Sequence, residues 1–136
     1  MPGTIDFKYD AAKDIVIAVP QWRIESQDDC EVWFRQWADH LVKYGRKVDC
    51  VVVLDDFHID ARVASVWGEY RAKLNNTYFR HSFRVHADPT VKVFILTSGV
   101  RFNAASGEAP TVEGAIEGIL DARKQAESSD DLPHRR

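Results

Sequence analysis

The segment KVDCVVVLDD, Lys47 to Asp56, constrains the fold more than any other. The apolar run from Cys50 to Leu54 lacks the alternation of a half-exposed strand and is too short for a helix. It predicts a strand covered on both faces. Such a strand needs layers above and below it, and the patterns on either side supply them.

Upstream, IDFKYD alternates Ile5, Phe7 and Tyr9 with Asp6, Lys8 and Asp10, and the short AAK connects it to DIVIAVP. This predicts a β-hairpin whose second strand lies inside the sheet. Ser26 or Asp28 caps a helix starting near Gln27. Cys30, Trp33, Phe34, Trp37, Leu41 and Tyr44 form its apolar stripe, and Gly45 ends it. Downstream, Asp60 caps a second helix with the stripe Val63, Trp67, Tyr70 and Leu74, closed by Asn75 and Asn76.

YFRHSFRVH alternates again, ADPT reads as a turn, and VKVFILT reads as a further strand. Residues 79–86 either pair with that strand as a hairpin or approach a parallel strand irregularly. The small-residue loop SGVRFNAASGEAP leads to Thr111, which caps a last helix ending near Gln125. The interleaving predicts an α/β fold: a mixed, mostly parallel sheet of four to five strands with helices packed on it.

At 136 residues the chain suits one domain, expected over 1–126, with the polar ESSDDLPHRR as a disordered tail over 127–136. A net charge of -3 argues against a general nucleic-acid binder. Cys30 and Cys50 have no framework spacing and read as small core residues in a reducing compartment. No leader pattern and no run of about 20 apolar residues is present. A cytoplasmic protein without membrane insertion is expected.

Asp55, Asp56, His58 and Asp60 fall where strand gives way to helix, the end of an open α/β sheet where sites lie. Carboxylates beside a histidine could ligate a metal or serve as acid and base. Yet no ligand spacing, nucleophile elbow or glycine-rich phosphate loop accompanies them. Neither metal nor cofactor is expected. The plainer reading is a helix cap, two solvated aspartates and a surface histidine.

The run from Asp14 to Leu74, with ES before an amphipathic helix, an apolar strand ending in aspartate and the step HID into a second helix, resembles the STAS or SpoIIAA-like family of anti-sigma-factor antagonists. The resemblance covers residues 14–98. It implies a SpoIIAA-like α/β scaffold that acts by protein–protein contact without a cofactor. The family's regulatory members carry a phosphorylated serine or threonine just after the Ile-Asp step. Here those positions are Ala61 and Arg62, neither an acceptor, and Ser65 is expected deeper in the helix.

The first functional reading is therefore a noncatalytic regulatory contact module. Its surface would comprise residues 55–62, including Arg62, and the following helix, with Trp67 and Tyr70 as anchors if exposed. The alternative is a small enzyme or anion-binding protein using the 55–60 junction and the 98–111 loop, with Arg101 and Asn103. A pocket holding His58 and Arg101 together would favour it. Arg80, Arg84 and His86 share a face by alternation, which an anionic ligand or an acidic partner could use; the plainer reading, a solvated edge strand, is the one expected. Val32 and Val66 fall outside their helices' stripes, which predicts a homodimer as well as an unidentified protein partner.

Overall fold

The computed structural model describes residues 3–104 and 106–131. The chain opens with the expected hairpin. Strands β1 (Thr4–Asp10) and β2 (Ile15–Ile24) run antiparallel, with Thr4 opposite Gln21 and Asp10 opposite Ile15. Helix α1 (Gln27–Leu41) begins at Ser26 in a capping box. The Ser26 hydroxyl accepts from the Asp29 amide at 3.1 Å while the Asp29 carboxylate accepts from the amides of Ser26 and Glu25. A short 3₁₀ turn, Val42–Tyr44, follows, and Gly45 ends it at φ 65°.

Strand β3 (Val48–Val53) is interior, between β2 and β5 (Phe79–Val85), and parallel to both. Its alternation divides the molecule. Cys50 and Val52 face the core shared with α1, α2 (Ala64–Tyr78) and α3 (Pro89–Arg101); Val51 and Val53 face a smaller core closed by α4 (Val112–Asp131). Two short strands complete the sheet. β4 (Phe57–Ile59) pairs with the outer half of β2, and β6 (Gly107–Ala109) pairs with β5. The order is β1-β2-β3-β5-β6, mixed and mostly parallel as expected.

Several boundaries differ from the expectation. VKVFILT is not a strand but the body of α3. Asp88 caps it by accepting from the Val91 amide at 2.8 Å, and Pro89 occupies its first turn, so the expected turn is a helix start. Helix α2 continues past Asn75 and Asn76 to Tyr78. Helix α4 runs beyond Gln125 to Asp131, since no glycine or proline interrupts it before Pro133. Residues 127–131 are therefore helical rather than tail, and residues 132–136 lie outside the described residues. β5 is interior, not an edge, because β6 covers its far side.

Asp49 locks the α4 side to the sheet. Its carboxylate is fully buried between Arg80, whose Nε and Nη2 donate at 3.1 and 2.6 Å, and Arg123, whose Nε donates at 2.7 Å. The His81 amide adds a further bond at 3.0 Å. Arg123 also donates to the carbonyls of Lys13 and Asp14, both at 2.7 Å, tying α4 to the β1–β2 turn. Burial pushes the Asp49 carboxyl up, but hydrogen bonds and charge from both arginines outweigh it and hold it below the ordinary range.

Candidate functional site

The acidic junction is a break between two strands that share a neighbour. The Leu54 amide still bonds the Val85 carbonyl, the chain turns at Asp55 and Asp56, and the Trp22 amide then bonds the Asp56 carbonyl at 3.1 Å. β4 resumes from there along β2. Asp55 and Asp56 are exposed, as expected. The His86 ring bridges Asp55, 2.5 Å from Nδ1, and the Pro110 carbonyl, 2.9 Å from Nε2. His86 adopts φ 64°, which turns the chain out of β5.

His58 donates through Nδ1 to Asp88 at 3.0 Å, so one carboxylate both caps α3 and holds the imidazole. Burial raises the Asp88 carboxyl, but bonds from the Val91 amide and from His58 lower it further, leaving it below the ordinary range. Asp60 caps the 3₁₀ turn Ala61–Val63 through the Arg62 amide. It also binds the Arg62 guanidinium bidentately at 3.0 and 2.7 Å. Those side-chain hydrogen bonds hold the Asp60 carboxyl at about 2. Because that turn precedes α2, Ser65 lies in the helix's first turn rather than deep within it. Its exposed hydroxyl accepts from Arg101 at 3.2 Å.

The expected residues do not converge on one centre. His58 and Asp56 line a groove with Trp22 and Glu25, whereas Arg101 lines another with Ser65, Phe94 and Phe102. The juxtaposition that would favour an enzyme is therefore missing. Trp67 is not an anchor. It is 2% exposed and packs against Trp33 and Phe57. Tyr70 is half-buried against Phe34, with its hydroxyl on Glu31. Asn103 is exposed at φ 53° and turns the chain after α3. Val32 and Val66 are half-buried, packed against the main core.

The outward apolar surface is elsewhere, on α3. Val91, Ile95 and Ser98 point inward, while Val93, Leu96 and Val100 are 57, 53 and 88% exposed. These three lie on one side of the helix and leave an apolar stripe bare. Between α3 and α2 runs a mainly apolar groove of about 330 Å³, rimmed by Ser65 and Arg101. Gly68 allows this packing, since a Cβ there would come within 3.1 Å of the Ser98 Cβ.

Sequence reasoning missed Arg71 and placed Arg84 on one face with Arg80; in the structure Arg80 turns to Asp49 on the α4 side, while Arg84 is buried with Arg71 on the other. The signal for Arg71 was present: it stands between Trp67 and Leu74 on the apolar stripe of α2, at a core position.

No family model and no curated protein matches the sequence. Among solved structures, the fold is similar to that of a Thermotoga maritima protein described as a putative anti-sigma factor antagonist. The TM-score is 0.58 with 17% identity, over 88% of this chain and 94% of that one. The fold is of the STAS type. On that scaffold the residues after the Ile-Asp step, Ala61 and Arg62, are exposed, and Arg62 is held by Asp60. Among the described residues no helix is long and apolar enough to cross a membrane, and no cluster of histidine, cysteine or acidic residues is arranged to hold a metal.

Proposed function

We propose that this chain is a noncatalytic, cytoplasmic contact module that docks a protein partner through the outer stripe of α3 and the adjoining start of α2. The observation that carries this reading is the exposure of Val93, Leu96 and Val100 on one helix side. Contiguous apolar surface with a polar rim is the usual anatomy of a protein interface, and Arg62, Ser65 and Arg101 supply the rim. The structural neighbour, described as a putative anti-sigma factor antagonist, supports the same class of role. Ala61 and Arg62 offer no acceptor at the junction, so docking would be constitutive there, with Arg62 a fixed cation. Cys30 and Cys50 are free, buried thiols, as small core residues of a reducing compartment would be.

A photoreactive amino acid in place of Leu96 tests this reading in cells, with the same group at Glu117 on α4 as control. The expected result is a discrete adduct from position 96 that disappears in Val100→Lys and is absent from position 117. An adduct of twice the chain mass would make the partner a second copy. Identical adduct patterns from both positions, or none from position 96, would contradict docking through α3.

A further inference from the structure

Between α2 and the sheet lies a mainly apolar cavity of about 50 Å³. Arg71 of α2 and Arg84 of β5 line it and are 8 and 5% exposed. Arg71 donates to the Ala104 carbonyl at 2.5 Å, to Ser98 Oγ at 3.3 Å and to Ser106 Oγ at 2.8 Å. Arg84 Nη1 donates to the same Ser106 hydroxyl at 3.1 Å and more loosely to the carbonyls of Ser106 and Gly107. Its Nε is buried with no hydrogen-bond partner among the described residues. The Ser106 hydroxyl thus accepts from both guanidiniums, which leaves its proton to donate. Trp33, Trp37 and Trp67 line the same cavity, and each buries an indole N–H that no described acceptor takes.

The charge is equally one-sided. Among the described residues, the one carboxylate within ion-pair reach of either guanidinium is Glu108, 4.0 Å from Arg84 Nε. It is 40% exposed and closer to Lys92, at 2.8 Å. Burial lowers both arginines from their ordinary range, Arg71 to about 10, and both remain cations near neutral pH. Two buried cations with neutral acceptors and no committed counter-charge call for an anion.

We propose that this cavity binds a small oxyanion, a monocarboxylate or an inorganic ion of similar size, between Arg71 and Arg84 with the Ser106 hydroxyl as third donor. The volume sets the size. A water occupies about 30 Å³ of liquid, so the cavity takes a group of a few heavy atoms and excludes nucleotides or sugars. The aromatic walls keep bulk water from screening the two charges. A surface groove of about 240 Å³, lined by Arg80 and His81, shares Asn75, Ser82 and Ser106 with the cavity wall, which places the entrance there.

The test is a titration of the ¹⁵N-labelled chain with sodium acetate or nitrate, replacing chloride at constant ionic strength. Trp22 is an internal control: it also buries an unpaired indole N–H but does not line the cavity. The expected result is a saturable shift of the indole N–H signals of Trp33, Trp37 and Trp67 while Trp22 stays still. Arg84→Met and Ser106→Ala should each weaken it at least tenfold. If Arg84→Met does not fold, Ser106→Ala alone carries that comparison. Shifts that grow linearly with salt, that include Trp22 equally, or that do not occur would overturn the proposal. The cavity would then hold water alone, and the anion effect would be one of bulk salt.

Discussion

Two arginine pairs flank the same sheet and are balanced in opposite ways. On the α4 side, Arg80 and Arg123 close on one buried carboxylate, Asp49, and their hydrogen bonds are met by it and by backbone carbonyls. On the α2 side, Arg71 and Arg84 close on a serine hydroxyl, and one guanidinium N–H has no described acceptor. Side-chain type does not distinguish the two sites; the presence of a matched counter-charge does. The first is built for the fold, and the second leaves binding capacity unused by the fold. The same side of the sheet carries the bare stripe of α3, so the unmet groups of this molecule, polar and apolar, lie together.

The comparison can be broken most forcefully at Asp49. Replacing it with alanine leaves two arginines facing each other without a counter-charge and should cost about 3–5 kcal/mol, read as a fall in the urea midpoint at unchanged slope. The pH dependence has the same source. The folded carboxyl sits below its unfolded value, so its contribution is present in full above the unfolded pKa, about 3.9, and is lost as pH falls through the folded one. Below about pH 4 the fall of Tm with pH should therefore be steeper in the parent than in Asp49→Asn.

The next effects are smaller and differ in sign. Arg123→Met removes a charged hydrogen bond to Asp49 and should cost about 1.5–3 kcal/mol. Arg84→Met removes a buried cation with no committed partner and should be neutral or stabilising by about 1 kcal/mol. Equal losses from both variants, by chemical denaturation, would show the pairs to be equivalent and remove the distinction. Smallest of all, Val100→Lys changes an exposed side chain and should alter stability by less than about 0.5 kcal/mol, so any loss of binding it causes is a surface effect.

How much of this was legible depends on which physics each segment uses. The interior strand was readable because the run from Cys50 to Leu54 has only one comfortable place in an α/β protein, and its division into Cys50 and Val52 against Val51 and Val53 followed from the pleat. The α1 cap was readable in part, since Ser26, one of two candidates beside Asp28, is the residue used. Helix α3 was not, because Val91, Val93 and Ile95 favour a strand locally, and the Asp88–Pro89 cap had to outweigh them. β4 and β6 span three residues each, too few for a period. Alternation placed Arg84 on a face without saying that α2 covers it. Trp67 and Tyr70 were legible as a stripe, but whether either is exposed was not, because a pattern marks what is buried, not what is left bare. The bare stripe of α3 was hidden for the same reason once its segment was taken as a strand.

The most direct test of docking through α3 is the affinity of the partner identified by the position-96 adduct, measured by titration calorimetry against matched surface variants on the two sides of the sheet. Val100→Lys on α3 should raise Kd at least tenfold, about 1.4 kcal/mol, and Glu117→Lys on α4 should leave it unchanged. An unchanged Kd for Val100→Lys, or a larger loss from Glu117→Lys, would place the interface away from α3 and contradict the account.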